Sequence, residues 1–417
     1  MNTRFDADVV IAGAGVAGAT LALALKSGGL EPVLVDPAPF DTQLAPDFDG
    51  RSWAIAYSCF RQWRALGLAG DLEPHAQRMD QILVTDGRTP GAATPGQTPF
   101  FLHFDAAEIA DRVAGEPLGY MLESRHVRAA VSRAVIAAGI RVIAPARVAG
   151  VETGAGSSKV LLADGSSLTA PLVVGAEGRG SIVRQAAGIE AVGWDYPQTG
   201  VVCTVKLERP HGGVAHEYFL PGGPFAILPL TGDRASLVWT EKRDRAAALG
   251  TARPEVFRAH LHRRFGEFLG AIEVVGPVFT YPLSLSIAER FSGPRVALLG
   301  DAAHGVHPIA GQGLNLGLKG AAALAEVLVE AARLGEDIGS ELVLDRYGAW
   351  RRFDTMTLAA GMDAFVWLFS NDHPLVRLAR GVGMSVVNRI GPARRLFMQE
   401  AGGAVGDLPR LLRGEAL

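Results

Sequence analysis

Short, unbroken apolar runs that stop at glycine-rich turns recur along this chain, a pattern that predicts buried parallel strands feeding into helices. In "DADVVIAGAGVAGATLALALKSGGLEPVLVD", residues 6–36, Val9–Ile11 predicts a strand and Ala19–Lys26 a helix. Gly28 and Gly29 end that helix, and "PVLVD" predicts a second strand. The logic repeats in "LTAPLVVGAEGRGSIVRQAAGI", residues 168–189. There Leu172–Val174 reads as a strand, Gly175 and Gly178 bracket a turn holding Glu177, and Ser181 can cap a helix containing Arg184. A third copy, "GPRVALLGDAAH", runs as a strand from Arg295 to Leu299 and stops at Gly300 and Asp301. Gly311 and Gly313 then free the backbone, and from Leu314 a long helix with small residues on its packing face is predicted.

Between these blocks the period changes to two. "QILVTDG" and "FFLHFD" flank a Pro/Gly-rich loop at 87–100, and residues 196–285 hold "GVVCTVKLE", "HEYFL", "FAILPL" and "ASLVWT". These predict one antiparallel sheet in which Phe219, Phe225, Leu228 and Pro229 are candidates to line a pocket or to fill a core. From about residue 345 the pattern is helical, broken at Pro374, Gly391, Pro392 and Gly402.

At 417 residues the chain has room for two to three domains. A net charge of -3 offers no broad basic field, which sets nucleic acid aside as a partner. Cys59 and Cys203 are too few for a disulfide framework and fit a reducing compartment, which points to the cytoplasm. The apolar N-terminal run carries five glycines and an acidic lead-in, against both a signal peptide and an anchor.

The first block carries chemistry. Gly13, Gly15 and Gly18 form G-x-G-x-x-G on the strand-to-helix turn, with Val16 and Ala17 between the second and third glycines. The first glycine permits the turn, the second lets a pyrophosphate approach the backbone, and the third lets helix and strand pack closely. The helix N-terminus adds N–H donors and a partial positive charge. Asp36, 18 positions after Gly18, ends the second strand where a carboxylate can accept from ribose hydroxyls. The "GAGSSK" and "GVGMSVVN" segments lack a third glycine and a flanking strand, so one dinucleotide is bound by this device.

The loop "GDAAHGVHPIAGQGLNLGLKG" contains no nucleophile in an elbow context, since Ser284, Ser286 and Ser292 sit elsewhere. His304 and His307 lack a third metal ligand at useful spacing, so no metal is expected, and they read as hydrogen-bonding the loop or a phosphate. The unpaired N–H groups of the helix that follows point at whatever the loop holds and would stabilise an anion there.

Taken together, "GAGVAG", "DGRSWAIAYSCFRQWRALGL", "GAEGRGSIVR", "GPFAILPLTGDRASLVW", "GDAAHGVHPIAGQGLNLGL" and "LFSNDHPLVRLARGVGMSVVNRIGPARRLFMQEA" resemble the single-component FAD-dependent aromatic monooxygenases. Within that class the chain is most similar to the ubiquinone-biosynthesis hydroxylase family (UbiH/UbiF/VisC type). The resemblance implies an α/β (α+β overall) fold: a Rossmann-like FAD-binding domain of the p-hydroxybenzoate hydroxylase type, an antiparallel-sheet substrate domain and a C-terminal helical segment. The expected division is 1–78, 107–190 and 286–345 for the FAD-binding domain, 79–106 and 191–285 for the substrate sheet, and 346–417 for the helical region.

The same resemblance implies FAD across the first βαβ unit, with Asp36 on the adenosine ribose, Arg51 and Arg125 near the pyrophosphate and Val148 near the adenine. Asp301 would meet the ribityl or phosphate region, and the backbone of Gly311, Gly313, Leu314 and Asn315 would face the isoalloxazine. Oxygen transfer would come from a flavin C4a-hydroperoxide after reduction by transiently docked NAD(P)H. No side chain is then a catalytic acid, base or nucleophile, and Pro308, Gly311, Gln312 and Gly313 form the supporting loop. The substrates implied are O2 and a polyprenyl phenol, with a small soluble aromatic compound as an alternative. A non-catalytic flavin-binding role in an assembly with other ubiquinone-biosynthesis proteins is a third reading.

Two positions depart from the family pattern: Glu177 stands where Asp is usual, and Gly320 where an acidic residue is usual. The first alters a turn hydrogen bond or the nicotinamide contact. The second costs the helix about 1 kcal/mol relative to alanine. From His373 onward seven arginines face three acids, which fits either contact with an anionic membrane surface or partner, or a solvated helical face.

Overall fold

The computed structural model describes residues 5–47, 50–85, 101–109, 115–220, 222–306, 311–352, 383, 387, 390–403 and 405–417. The three apolar runs lie side by side in a six-stranded sheet of order Ser292–Gly293, Val296–Leu298, Leu172–Gly175, Val9–Ala12, Pro32–Val35, Arg141–Ile143. Neighbours are parallel except at the outer edge, where Ser292–Gly293 turns back on Val296–Ala297. Val9, Val10, Ile11, Leu172, Val173 and Val174 are fully buried, which is why they read as unbroken apolar runs. The third strand starts one residue later than its pattern suggests. Arg295 is left-handed (φ 57°), and its buried guanidinium reaches Gly154 O, Ala155 O, Pro171 O and Asp337.

The long helix Gln312–Arg333 is buried from Asn315 to Val329. Gly320 lies against Leu299 and Tyr347: a Cβ there would sit 3.0 Å from Leu299 Cδ1 and 3.5 Å from the Tyr347 hydroxyl. An acidic side chain at this position would therefore enter the core. Tyr347 occupies the space and donates to Leu298 O at 2.8 Å, tying Ser340–Arg352 to the parallel sheet. Tyr347→Phe is expected to lower stability by about 1–2 kcal/mol, measured by urea unfolding, because it strands a buried carbonyl while keeping the ring.

The period-two segments form an eight-stranded sheet. Its order is His304–Gly305, Ile272–Ala288, Ala191–Leu207, Arg234–Lys242, Gly223–Leu230, Val214–Leu220, Gln81–Thr85, Phe101–Asp105. The expectation of a purely antiparallel sheet needs correction, because Val214–Tyr218 runs parallel to Gln81–Thr85. These two strands come from separate stretches of chain, so no hairpin dictates their relative direction. Two helices, Arg243–Gly250 and Pro254–Phe265, cover one face, where Tyr218, Phe225 and Trp239 of the sheet meet Phe257 and Phe265 of the second helix. The other face carries Ala215, Leu228 and Leu230 and packs on Met79, Met121 and Ala54. These last three belong to a small sheet of Ser52–Ala56, Gly119–Glu123 and Gln77–Met79 that joins the two large ones. Of the expected pocket residues, Phe219 lies on the face toward the parallel-sheet half, in a cluster with Val84 and Leu102. Phe225 is a core residue on the helix-covered face, and by strand alternation Pro229 shares its side.

Two buried histidines make the fold acid-sensitive. Burial holds His216 down to about 4, and burial with Arg351 nearby does the same to His304. The unfolded chain takes up protons near 6.5 that the folded chain refuses, so stability is complete at neutral pH and falls as pH drops from about 6.5 toward 4. The loss reaches about 3 kcal/mol per ring at the acid end. Urea unfolding of wild type and His216→Phe at pH 7 and pH 4.5 checks this, the variant showing the shallower dependence.

Candidate functional site

Three glycine turns converge at the carboxyl ends of neighbouring parallel strands. Gly13 follows the first strand with φ 106°, its N–H donates to Val35 O at 2.7 Å, and Ala176 N donates to Ala12 O at 2.7 Å. A Cβ on Gly13 would lie 2.4 Å from Ala176 O, and one on Gly18 would lie 2.1 Å from Gly13 O. Gly15 differs, since a Cβ there would meet nothing within 4 Å. Gly13 and Gly18 therefore serve packing, and Gly15 faces open space, as a cradle for phosphate oxygens requires. The helix begins at Val16, three residues earlier than the apolar pattern suggests, so Val16 and Ala17 are its first turn.

Asp36 stands at the end of the second strand. Its Oδ2 accepts from Ala14 N–H at 2.8 Å and its Oδ1 from Ala38 N–H at 2.9 Å, so the carboxylate braces the glycine turn. Ala146 N–H donates to Asp36 O at 2.7 Å, which brings the start of Val148–Thr153 to the same corner. Val148 itself is buried in the core.

Arg51 and Arg125 share a second corner, because Ser52 pairs with Glu123 and Ser124 N–H donates to Arg51 O at 2.9 Å. Arg125 donates to Glu123 Oε2 at 2.7 Å and to Pro46 O at 3.2 Å. Glu123, almost fully buried, also pairs with Arg234 at 2.8 Å. Arg51 is exposed, with its guanidinium 6.0 Å from the centre of the Trp53 ring.

The third corner holds Asp301 and the start of the long helix. Gly300 and Gly317 both approach the Ala17 methyl, at 3.6 and 3.4 Å from where their own Cβ atoms would stand. The first dinucleotide turn and the Gly300–Asp301 turn thus share one cleft. The Asp301 carboxylate is half-exposed yet deep in the concavity; burial raises its pKa and Arg179 Nε, 3.7 Å away, lowers it. Arg179 was not singled out in the sequence, although it sits inside the quoted "GAEGRG" turn; it also bonds Ser284 of the large sheet. Glu177 folds back from the turn: its Oε1 accepts from Val183 N–H at 2.9 Å beside the Ser181 cap on Arg184 N–H, and burial raises its pKa. The Asp-to-Glu change thus supplies a turn hydrogen bond.

Gly311 is the left-handed residue (φ 63°) before Gln312, Gly313 and Leu314, and a Cβ on it would stand 3.1 Å from Ala54 Cβ. The Asn315 side chain has a role that the sequence did not show. Its buried amide donates to Ala54 O at 2.9 Å and accepts from Ala56 N–H at 3.0 Å, so the side chain ties the helix to Ser52–Ala56. The buried His304 ring packs edge-on against Phe291. Pro308 and His307 lie outside the described residues.

A glycine-lined cleft on a parallel sheet, roofed by a second, largely antiparallel sheet, defines a dinucleotide-dependent enzyme of the flavoprotein hydroxylase class. Residues 6–357 match the FAD binding domain family. The chain is 45% identical to the ubiquinone hydroxylase UbiL of Rhodospirillum rubrum, over 99% of this chain and 94% of that one. It is 32% identical to the 3-demethoxyubiquinol 3-hydroxylase of Escherichia coli, over 96% and 99% of the two chains. The p-nitrophenol 4-monooxygenase of Pseudomonas putida shares the fold, with a TM-score of 0.76, 20% identity and coverage of 94% and 97%. This chain belongs to the FAD binding domain family and, within it, to the ubiquinone-biosynthesis hydroxylases.

Proposed function

We propose that this protein is an FAD-dependent monooxygenase that uses NAD(P)H and O2 to hydroxylate the aromatic ring of a polyprenylated phenol on the route to ubiquinone. The observation that carries this reading is near-full-length similarity to the Rhodospirillum rubrum ubiquinone hydroxylase. The three glycine turns meeting at one cleft support it. Bound FAD supplies the redox and oxygen-transfer chemistry. The chain binds, orients and excludes water, and for that reason its cleft is built of glycine, backbone N–H groups and apolar side chains rather than of acids and bases.

In this reading Gly13, Gly15, Val16, Ala17 and Gly18 cradle the pyrophosphate. Asp36 and Val148 hold the adenosine end, Arg51 and Arg125 the phosphate flank, and Asp301 the ribityl side. The first turn of Gln312–Arg333 directs its positive end at the isoalloxazine, which the backbone of Gly311, Gly313, Leu314 and Asn315 faces, with Pro308, Gly311, Gln312 and Gly313 forming the supporting loop. The nicotinamide docks transiently, as the single dinucleotide fingerprint suggests. The proposed domain division is FAD-binding pieces 1–78, 107–190 and 286–345, substrate pieces 79–106 and 191–285, and a helical region 346–417.

No described helix is long and apolar enough to cross a membrane. The arginine-rich C-terminal region offers peripheral contact with an anionic leaflet or with other proteins of the pathway, at a cytoplasmic site. Within it Arg394 pairs with Glu108 at 2.9 Å, and Leu411 and Leu412 are buried in the main core, so its described part also anchors to the FAD-binding half. The test is mass analysis of quinone lipids from a strain lacking this protein. Loss of ubiquinone with accumulation of a prenylated precursor one hydroxylation short is the expected result; normal ubiquinone in that strain would overturn the reading.

A further inference from the structure

The strand Val214–Leu220 carries a carboxyl with no use in the account above. Along it, His216, Tyr218 and Leu220 face the helix-covered side, where the His216 ring lies 4.9 Å from that of Phe268 and Tyr218 and Leu220 join the helix-packed core. Ala215, Glu217 and Phe219 face the other way, toward the parallel-sheet half. Glu217 stands beside Ala226 on one neighbouring strand and Val84 on the other. Its own face continues into Ile82 and Leu228, the small sheet packed opposite contributes Ala54, Met79 and Met121, and Val387 of the C-terminal region packs on the adjoining Val84, Leu102 and Phe219; none of these described residues is titratable. Charged side chains appear at the edge, where Arg234, Arg125 and His126 gather on Glu123.

Other buried carboxyls of this protein are partnered. Glu123 holds two arginines, Glu241 pairs with Arg264 at 2.5 Å, Glu177 accepts from Val183 N–H, and Glu326 accepts from Arg410 N–H at 2.6 Å. Glu217 makes no hydrogen bond or ion pair among the described residues, and it is half-buried where Ala215 and Phe219 on the same face are buried. Burial alone raises it to about 8. An unpartnered carboxyl in an apolar wall costs stability and makes sense where a ligand supplies the missing donor. Ala54, in the cluster with Ala215 and Leu228, also touches the Gly311 turn, so this wall and the candidate flavin-facing turn meet at one residue.

We infer that Glu217 is a substrate-positioning residue: its carboxylate accepts the hydroxyl of a neutral phenol and excludes aromatic acids from the same place. This deepens the hydroxylase reading and rests on it. The phenolic O–H proton is shared with, and on ionisation passes to, the Glu217 carboxylate, leaving a more electron-rich ring with no other bond broken. Once Glu217 is ionised, an aromatic carboxylate would instead meet a like charge on a wall whose described residues offer no cation to receive it.

The test uses the full-length, flavin-loaded protein titrated with 2-prenylphenol and, separately, with 4-hydroxybenzoate between pH 6 and 9. Binding is followed through the flavin absorbance, and thermal unfolding of each variant is run in parallel. Wild type is expected to prefer the prenylphenol and to bind it more tightly as Glu217 ionises. Glu217→Gln should bind it about tenfold more weakly, the worth of one hydrogen bond to a charged acceptor, without that pH dependence and with less discrimination against the benzoate. Glu217→Asp should keep the pH dependence, which a merely structural side chain would not impose. A Glu217→Gln protein matching wild type in affinity and pH profile would overturn this inference alone. A wild type that responds to no phenol would overturn it together with the hydroxylase reading.

Discussion

Gly15→Asp is expected to give a folded protein that purifies without flavin and takes up added FAD at least about a thousandfold more weakly than wild type. Gly15 is the N-cap of Val16–Ser27, with an extended backbone (φ -65°, ψ 174°) that any residue adopts, and a Cβ there meets nothing within 4 Å. Aspartate is among the preferred N-cap residues and brings a negative charge to the positive end of the helix, so the variant's own stability should hold or rise slightly. The same carboxylate would occupy the place left for the pyrophosphate. Two like charges about 4 Å apart at an effective dielectric of about 20 repel by about 4 kcal/mol, which is about a thousandfold in affinity. Gly13→Ala is the contrasting variant. There the backbone is left-handed and the new methyl would collide with Ala176 O, so the fold itself should lose about 4 kcal/mol. Flavin absorbance per folded protein, beside a urea curve for each variant, separates the two effects. Flavin-loaded Gly15→Asp protein at wild-type occupancy would remove the pyrophosphate from this turn.

The contrast between these glycines also marks how far the sequence could be read. Gly13, Gly15, Gly18 and Asp36 were legible because the turn, strand and helix that give them meaning are all local, within residues 6–36. The Ser181 cap was legible for the same reason. What stayed hidden depends on contacts between distant parts of the chain. Asn315 reads as one more polar residue in a glycine loop, and its partners Ala54 and Ala56 lie about 260 positions away. Arg295 looks like the first residue of a strand until Ala155, Pro171 and Asp337 are placed around it. Phe219 and Phe225 have equal hydrophobicity, and only strand pairing shows that they face opposite ways. Gly320 looked like a weakness in a helix; its value appears once Leu299 and Tyr347 are seen to fill the space. Glu217 did leave a local signal, an acid inside the apolar run "HEYFL", but alternation alone cannot say which face of a two-sided sheet meets a ligand.

Breaking the Asn315 tether should have the second large effect, on stability and flavin retention together. The side chain is 1% exposed and satisfies Ala54 O and Ala56 N–H at once, holding the strand that touches Gly311 against the start of the long helix. Asn315→Leu keeps the branching of the side chain but strands both backbone groups, at about 1–3 kcal/mol each, so a loss of about 3 kcal/mol in urea unfolding is expected. Asn315→Asp keeps an acceptor for Ala56 N–H but turns an oxygen toward Ala54 O. Burial and that carbonyl would both favour the protonated acid, so the folded state would bind a proton that the unfolded chain releases near 4. Its deficit should therefore be largest at neutral pH and shrink as pH falls toward that value, the reverse of the histidine-driven acid loss in wild type. Flavin release should accelerate in both variants because Ser52–Ala56 no longer fixes the Gly311 turn. A neutral-pH stability within about 0.5 kcal/mol of wild type for both variants would show that the amide is a passenger and that other contacts hold the helix start against this strand.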